Sequence, residues 1–214
     1  MIIDTENKKN VLILAPHTDD GEFGCGGTIA KLIQNGSNII YAAFSIAEES
    51  LEEGLPKDTL EKEVKDATSI LGIKSSNLII HKFPVRNFLQ YRQDILELLV
   101  QINVDYNPDL VFLPSRFDTH QDHKVISDEG FRAFKKTSIL GYEIPWNNLT
   151  FNTNAFSLLE KKHIDKKIES LNKYISQMNR SYVNKEFIES LAITRGGQIG
   201  VQYAETFEAI RLIL

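Results

Sequence analysis

Hydrophobic residues occur along this chain in short solid runs, separated by longer stretches where they recur every three or four positions. VLILA (11–15), IIYAAFS (39–45), LIIHKF (78–83) and LVFLP (110–114) have the length and composition of β-strands buried on both faces. Residues 57–72 place Leu60, Val64, Ala67 and Leu71 on one stripe with Lys and Glu opposite, and residues 90–104 do the same with Tyr91, Ile95, Leu98, Leu99 and Ile102. Solid runs alternating with helical periodicity predict an α/β fold, a mostly parallel sheet with helices on both faces. In the C-terminal third the pattern predicts helices over 157–178 and 184–195 and a closing strand, FEAIRLIL, at 207–214. No repeat, low-complexity tract or linker interrupts the pattern, so residues 1–214 are expected to form a single domain.

Composition adds mainly exclusions. The chain has 214 residues, 42% apolar and 25% charged, with a net charge of −5, so no global basic field attracts nucleic acid or an anionic membrane. The start, MIIDTENKKN, lacks the apolar core of a signal peptide, and no run approaches the roughly 20 apolar residues of a membrane span. The single cysteine, Cys25, excludes an intramolecular disulfide and is expected to be a small buried residue. A cytoplasmic protein is expected. Its oligomeric state is left open, a homo-oligomer included.

In such folds ligands collect beyond the carboxyl ends of the strands, where strand order reverses. The first strand leads into PHTDDGEFGCGG (16–27), and the fourth into PSRFDTHQDHK (114–124). With strand order 3-2-1-4-5, the two loops are neighbours. Adjacent carboxylates are costly to bury unless a cation holds them. His17 and Asp20, joined by His123, would offer two imidazoles and one carboxylate. This donor set suits a catalytic zinc site with one open position, and iron or cobalt is also accommodated. Asp19 would then stand beside the bound water as general base. His120 is placed to meet the substrate oxygen as an imidazolium or to protonate the leaving nitrogen, and Asp122 to hold that imidazole and raise its pKa. Taken singly, His-x-x-Asp and HxDH are commonly loop hydrogen bonds or surface turns; their joint position favours the metal. His81, in a strand, and His163, on a charged helix face, are expected to be structural. GCGG is not a dinucleotide fingerprint; it is expected to let a helix starting near Thr28 pack tightly on the sheet.

PHTDDGEFGCGGTIAKL, HQDH at 120–123 and RGGQIGVQYAETFEAIR at 195–211 together resemble the PIG-L/LmbE family of zinc-dependent N-acetylglucosaminyl deacetylases. The resemblance spans nearly the whole chain. It implies a Rossmann-like fold and hydrolysis of an N-acetyl group on an amino sugar or glycoconjugate. It carries over His17, Asp20 and His123 as zinc ligands, Asp19 as base, and His120 with Asp122 as an electrostatic pair. The chain departs from the family pattern at Thr18 for proline, Gly21 for glutamate and Leu60 for arginine, so substrate recognition is expected to differ. Candidate substrate residues are Arg86 just past the third strand, Glu143 and Trp146 in GYEIPWNN, and Tyr203 in the YAE segment. Each also has a plain reading, as a solvated loop arginine or a core residue. The competing functions are a deacylase of non-sugar amides, thiol conjugates included, and a non-catalytic sugar-binding protein. A nucleotide-binding domain is disfavoured, because an acidic loop repels phosphate unless a metal is present.

Overall fold

A computed structural model describes residues 9–180, 182 and 184–213; most of the polar N-terminal stretch, and Leu214 of the expected closing strand, lie outside the described residues. The chain runs β1 (Asn10–His17), α1 (Asp20–Gln34), β2 (Asn38–Ser45), α2 (Thr59–Leu71), β3 (Leu78–Ile80), α3 (Arg92–Tyr106) and β4 (Leu110–Pro114). It continues through α4 (Gln121–Ala133), β5 (Ser138–Tyr142), β6 (Ala155–Leu159), α5 (Lys161–Leu171), α6 (Lys185–Gly197) and β7 (Tyr203–Arg211). One seven-stranded sheet has the order β3-β2-β1-β4-β5-β7-β6. β1 to β5 are parallel, and β7 runs antiparallel between β5 and β6.

The solid apolar runs arise because both faces are covered. In β1, Val11, Ile13 and Ala15 pack under α1, α2, α5 and α6, while Leu12 and Leu14 pack against α3 and α4. The stripe Leu60, Val64, Ala67 and Leu71 of α2 lies in the first of these cores. Ile95, Leu99 and Ile102 of α3 lie in the second, and Leu98 stays half-buried. Among the described residues, no helix is long and apolar enough to cross a membrane.

Four expectations about elements change. The helix expected over 157–178 begins as β6, and α5 covers only Lys161–Leu171, followed by a 3-10 turn at Ile175–Gln177. The strand wins there because Ala155–Leu159 pairs residue for residue with β7. For the same reason β7 starts at Tyr203, four residues before the expected strand. LIIHKF forms only a three-residue, half-buried strand, since β3 is the sheet edge, although His81 and Phe83 still donate backbone bonds to Ala43 and Phe44. Finally, a further helical segment from Asp20 precedes the helix expected to start near Thr28, and the two join in α1 at a kink at Cys25 (φ −147°, ψ 23°). The glycines lie inside this helix, where a Cβ on Gly24 would sit 2.4 Å from the Tyr142 ring. Cys25 is fully buried. His163 is buried rather than on a charged face; its Nδ1 accepts from the Glu160 amide (3.0 Å) in a capping box.

Candidate metal centre and its cavity

β1 and β4 are adjacent at the point where strand order reverses, and both loops singled out in the sequence leave their carboxyl ends. His17 closes β1, Asp20 opens α1, and His123 lies in the first turn of α4. Three of their atoms converge: His17 Nδ1 to Asp20 Oδ2 is 3.1 Å, His123 Nε2 to Asp20 Oδ2 3.2 Å, and His123 Nε2 to His17 Nδ1 3.3 Å. Tetrahedral ligands about 2.0–2.1 Å from a zinc ion stand roughly 3.3 Å apart, so the spacing fits one divalent cation. A nitrogen of His120 also lies within 4.8 Å of nitrogens of His17 and His123. His120, however, is the N-cap of α4, and its Nδ1 accepts from the Asp122 amide (3.2 Å), which leaves Nε2 alone for a ligand.

Each converging histidine gives its other nitrogen to a buried carboxylate. His123 Nδ1 lies 2.7 Å from Asp118 Oδ2, and His17 Nε2 lies 3.0 Å from Asp122 Oδ2. Carboxylates in this position fix the ring and strengthen a metal-binding imidazole. The role expected for Asp122 is therefore corrected. Its carboxylate does not hold the His120 ring, because His17 and the amides of Arg86 (2.6 Å) and Phe88 (3.3 Å) occupy it. Asp118 was missed by sequence reasoning, although it stands two residues before His120 in the quoted loop; its other oxygen accepts from the His120 amide at 2.8 Å.

The electrostatics differ from group to group. Burial opposes the charge on Asp20, but His123 and His17 outweigh it and hold the carboxyl well below its usual range. Burial also opposes charge on His123, which Asp20 and Asp118 nonetheless raise to about 10. Asp19, half-buried, is pushed up to about 6 by burial and then by Asp20, with Arg180 and His17 opposing. His120 is pushed down to about 4 by burial, then by His123 and His17. The ring is thus neutral near pH 7, which corrects the expected imidazolium.

Beneath the loop, the hydroxyls of Tyr41 and Tyr174 lie 2.9 and 2.7 Å from the Thr18 carbonyl and both contact the buried carboxyl of Glu22. Burial pushes Glu22 up to about 8. Gly21 makes room for this arrangement, since a Cβ there would stand 2.5 Å from the Tyr41 ring.

The centre opens into a cavity of about 310 Å³ whose lining includes Asp19, His120, Arg86, Trp146, Arg180 and Tyr182. Two of the four candidate substrate residues, Arg86 and Trp146, are brought there. Glu143 is not, because it is buried in an ion pair with Arg195 of α6. Tyr203 is not either; it is 5% exposed, and its hydroxyl faces Glu189 and Gln202. Arg180 and Tyr182 were missed, and no motif marks them. Tyr182 stacks on Trp146 with ring centroids 3.8 Å apart, and Phe23 meets Trp146 edge-on at 5.1 Å.

Residues 12–134, more than half of the chain, match the family described as PIG-L, GlcNAc-PI de-N-acetylase. The chain is 26% identical over 181 residues to YaiS of Escherichia coli K12, described as an uncharacterized deacetylase, covering 82% of this chain and 96% of that one. It is 27% identical over 196 residues to a probable N-acetyl-α-D-glucosaminyl L-malate deacetylase 2 of Bacillus anthracis, covering 80% and 83%. The conserved protein TT1542 of Thermus thermophilus superposes with a TM-score of 0.80 at 26% identity, over 95% of each chain. The matched segment runs from β1 through α4 and so contains both loops of the centre; the chain belongs to the PIG-L family.

Proposed function

We propose that this protein is a divalent-metal-dependent N-deacetylase that removes the acetyl group from an N-acetylated amino sugar or sugar conjugate. Zinc is the expected metal, and the His₂Asp donor set also accepts iron or cobalt. The observation that carries the reading is the convergence of His17 Nδ1, Asp20 Oδ2 and His123 Nε2 within 3.1–3.3 Å, beside Asp19 at the floor of the cavity. The names of the family and of the Bacillus relative support an N-acetylated glucosamine unit in the substrate.

His17, Asp20 and His123 would hold the cation. When bound, it supplies Lewis acidity to the amide carbonyl and lowers the pKa of water. Asp19 accepts one proton of the attacking water as the new C–O bond forms, and returns it to the nitrogen as the C–N bond breaks, releasing a free amine and acetic acid, which gives up water's second proton to solvent as acetate. His120, neutral, donates a hydrogen bond to the carbonyl oxygen as negative charge grows on it. Asp118 and Asp122 keep the two ligand imidazoles in one orientation.

The test is acetate release by zinc-loaded protein across N-acetyl amino sugars presented free, nucleotide-linked and lipid-linked, with N-acetylated amino acids and amide conjugates of thiols as the non-sugar amides. Release from at least one of the sugars is expected. Release only from non-sugar amides moves the substrate class, and sugar binding with no hydrolysis identifies a binding protein; either outcome overturns the reading.

A further inference from the structure

The chain contains seven arginines. Four lie against carboxylates: Arg92 and Arg132 on Glu129, Arg116 on Asp128 and Arg195 on Glu143. Arg211 donates to the Phe134 carbonyl (2.7 Å) and lies over the Phe131 ring. Arg86 and Arg180 differ. Among the described residues their guanidinium groups have only hydroxyl hydrogen-bond partners, Arg86 Nη2 donating to Ser50 Oγ at 3.0 Å and Arg180 Nη1 to Tyr182 Oη at 2.9 Å. Both line the cavity of the metal centre. The field of Arg180 reaches Asp19, but no described carboxylate stands within ion-pair distance of either guanidinium. A guanidinium has five N–H donors in a planar fork, so one hydroxyl leaves most of each unused.

The backbone of Arg86 supplies an independent argument. Its φ is +67°, one of three positive values at non-glycine residues among those described. An L side chain is disfavoured there, and arginine lacks the short polar group that eases the conformation for asparagine. The structural duty of this position is the amide bond to Asp122 Oδ2 at 2.6 Å, which a glycine would make without strain. The backbone therefore does not call for arginine; what the arginine adds is a side chain in the cavity.

We infer that Arg86 and Arg180 form a recognition site for an anionic group, a phosphate or carboxylate, carried by the substrate on the part away from the acetamide. The inference rests on the deacetylase reading for its substrate class. Guanidinium forks bind either group in two-point contact, and the two cations offset the acidic floor formed by Asp19 and Asp20.

Three probes test it: methyl N-acetylglucosaminide, N-acetylglucosamine 1-phosphate and carboxymethyl N-acetylglucosaminide. Turnover is measured with zinc-loaded protein, and binding by calorimetry with the Asp19→Asn variant. An anionic probe is expected to exceed the neutral one by about tenfold or more in kcat/KM and in affinity, the advantage shrinking with salt. That ratio is expected to fall toward one in Arg86→Gly, which relieves the backbone, in Arg86→Asn and in Arg180→Met. A larger advantage for the phosphate or for the carboxymethyl probe identifies the group. Equal turnover and affinity for all three probes overturns the inference and leaves the deacetylase reading intact; an advantage that survives in all the variants overturns it as well. A binding advantage lost in the variants, with no acetate from any probe or from the nucleotide-linked and lipid-linked sugars of the wider screen, upholds the site and removes the deacetylase reading.

Discussion

Asp19 and Asp20 are chain neighbours in opposite surroundings. Asp20 Oδ2 meets two imidazole nitrogens and accepts from the His17 amide at 2.8 Å, whereas Asp19 faces the cavity and is pushed up to about 6. Asp20→Asn is expected to lose bound metal, read by elemental analysis, while Asp19→Asn keeps it and loses turnover by roughly 10²–10⁴. Equal loss of metal in both variants would reverse the assignment. The HQDH segment divides in the same way. His120→Ala is expected to retain metal and lower kcat by about 10²–10³, as for a deleted oxyanion donor. Asp122→Asn is expected to weaken metal binding about 10–100-fold through His17. A normal metal affinity in Asp122→Asn would contradict the bond to His17 seen here. The residue types were legible in the two motifs. That Asp122 bonds His17 and the amides of Arg86 and Phe88 was not, because those partners come from segments far apart in the chain.

At the scale of elements, the kink in α1 creates an interior helix start that needs its own partners. Glu205 of β7 accepts from the amides of Gly27 (3.0 Å) and Thr28 (2.7 Å), and Lys167 of α5 donates to Glu205 (2.8 Å) and to the Phe23 carbonyl (2.6 Å). Lys167 and Glu205 are 5% and 7% exposed. Lys167→Met leaves a carboxylate buried without its cation, so a loss of about 3–5 kcal/mol in urea unfolding is expected. A loss below about 1 kcal/mol would mean that the backbone amides alone carry Glu205. On α2, Lys65 and then Lys82 hold Glu61 down to about 2. A carboxyl whose pKa is depressed on folding contributes stability above its unfolded value, near 4.5, and loses it as pH falls toward 2. Glu61→Gln is therefore expected to give a small deficit in urea midpoint at pH 6 that shrinks toward pH 3; a constant deficit would point to packing instead. Neither brace shows in the helical periodicity, since a stripe reports which face is buried and not which charges cross it.

Across the molecule, the centre joins β1, α1 and α4, and its buried acids outnumber the histidines they surround: Asp20, Asp118 and Asp122 against His17 and His123. A cation bound there couples to folding. Metal at a hundred times its dissociation constant adds about 2.7 kcal/mol to stability. For a chain of this length that corresponds to a rise in Tm of roughly 5–10 °C, at about 2–4 °C per kcal/mol. Scanning calorimetry with zinc and then with chelator is expected to show this shift in the native protein and none in Asp20→Asn. The same shift in both would place the metal elsewhere.

Features encoded within a few residues of one another were determined by the sequence alone: the buried parallel strands, the stripes of α2 and α3, and the HTDD and HQDH loops at adjacent strand ends. Periodicity and motif spacing are local, and crossovers of one hand narrow the strand orders open to them, of which the structure shows the one that makes the two loops neighbours. Tertiary structure decided everything that depends on pairing between distant segments. It turned part of an expected helix into β6, because β7 lay ready to pair with it, and removed Glu143 and Tyr203 from the site by giving them partners near α6. It gave Asp122 to His17, 105 residues away, and it pushed His120 away from the imidazolium form by burying it and setting two other imidazoles beside it. Protonation states and hydrogen-bond partners respond to whatever lies within a few ångströms, and only the folded chain specifies that neighbourhood.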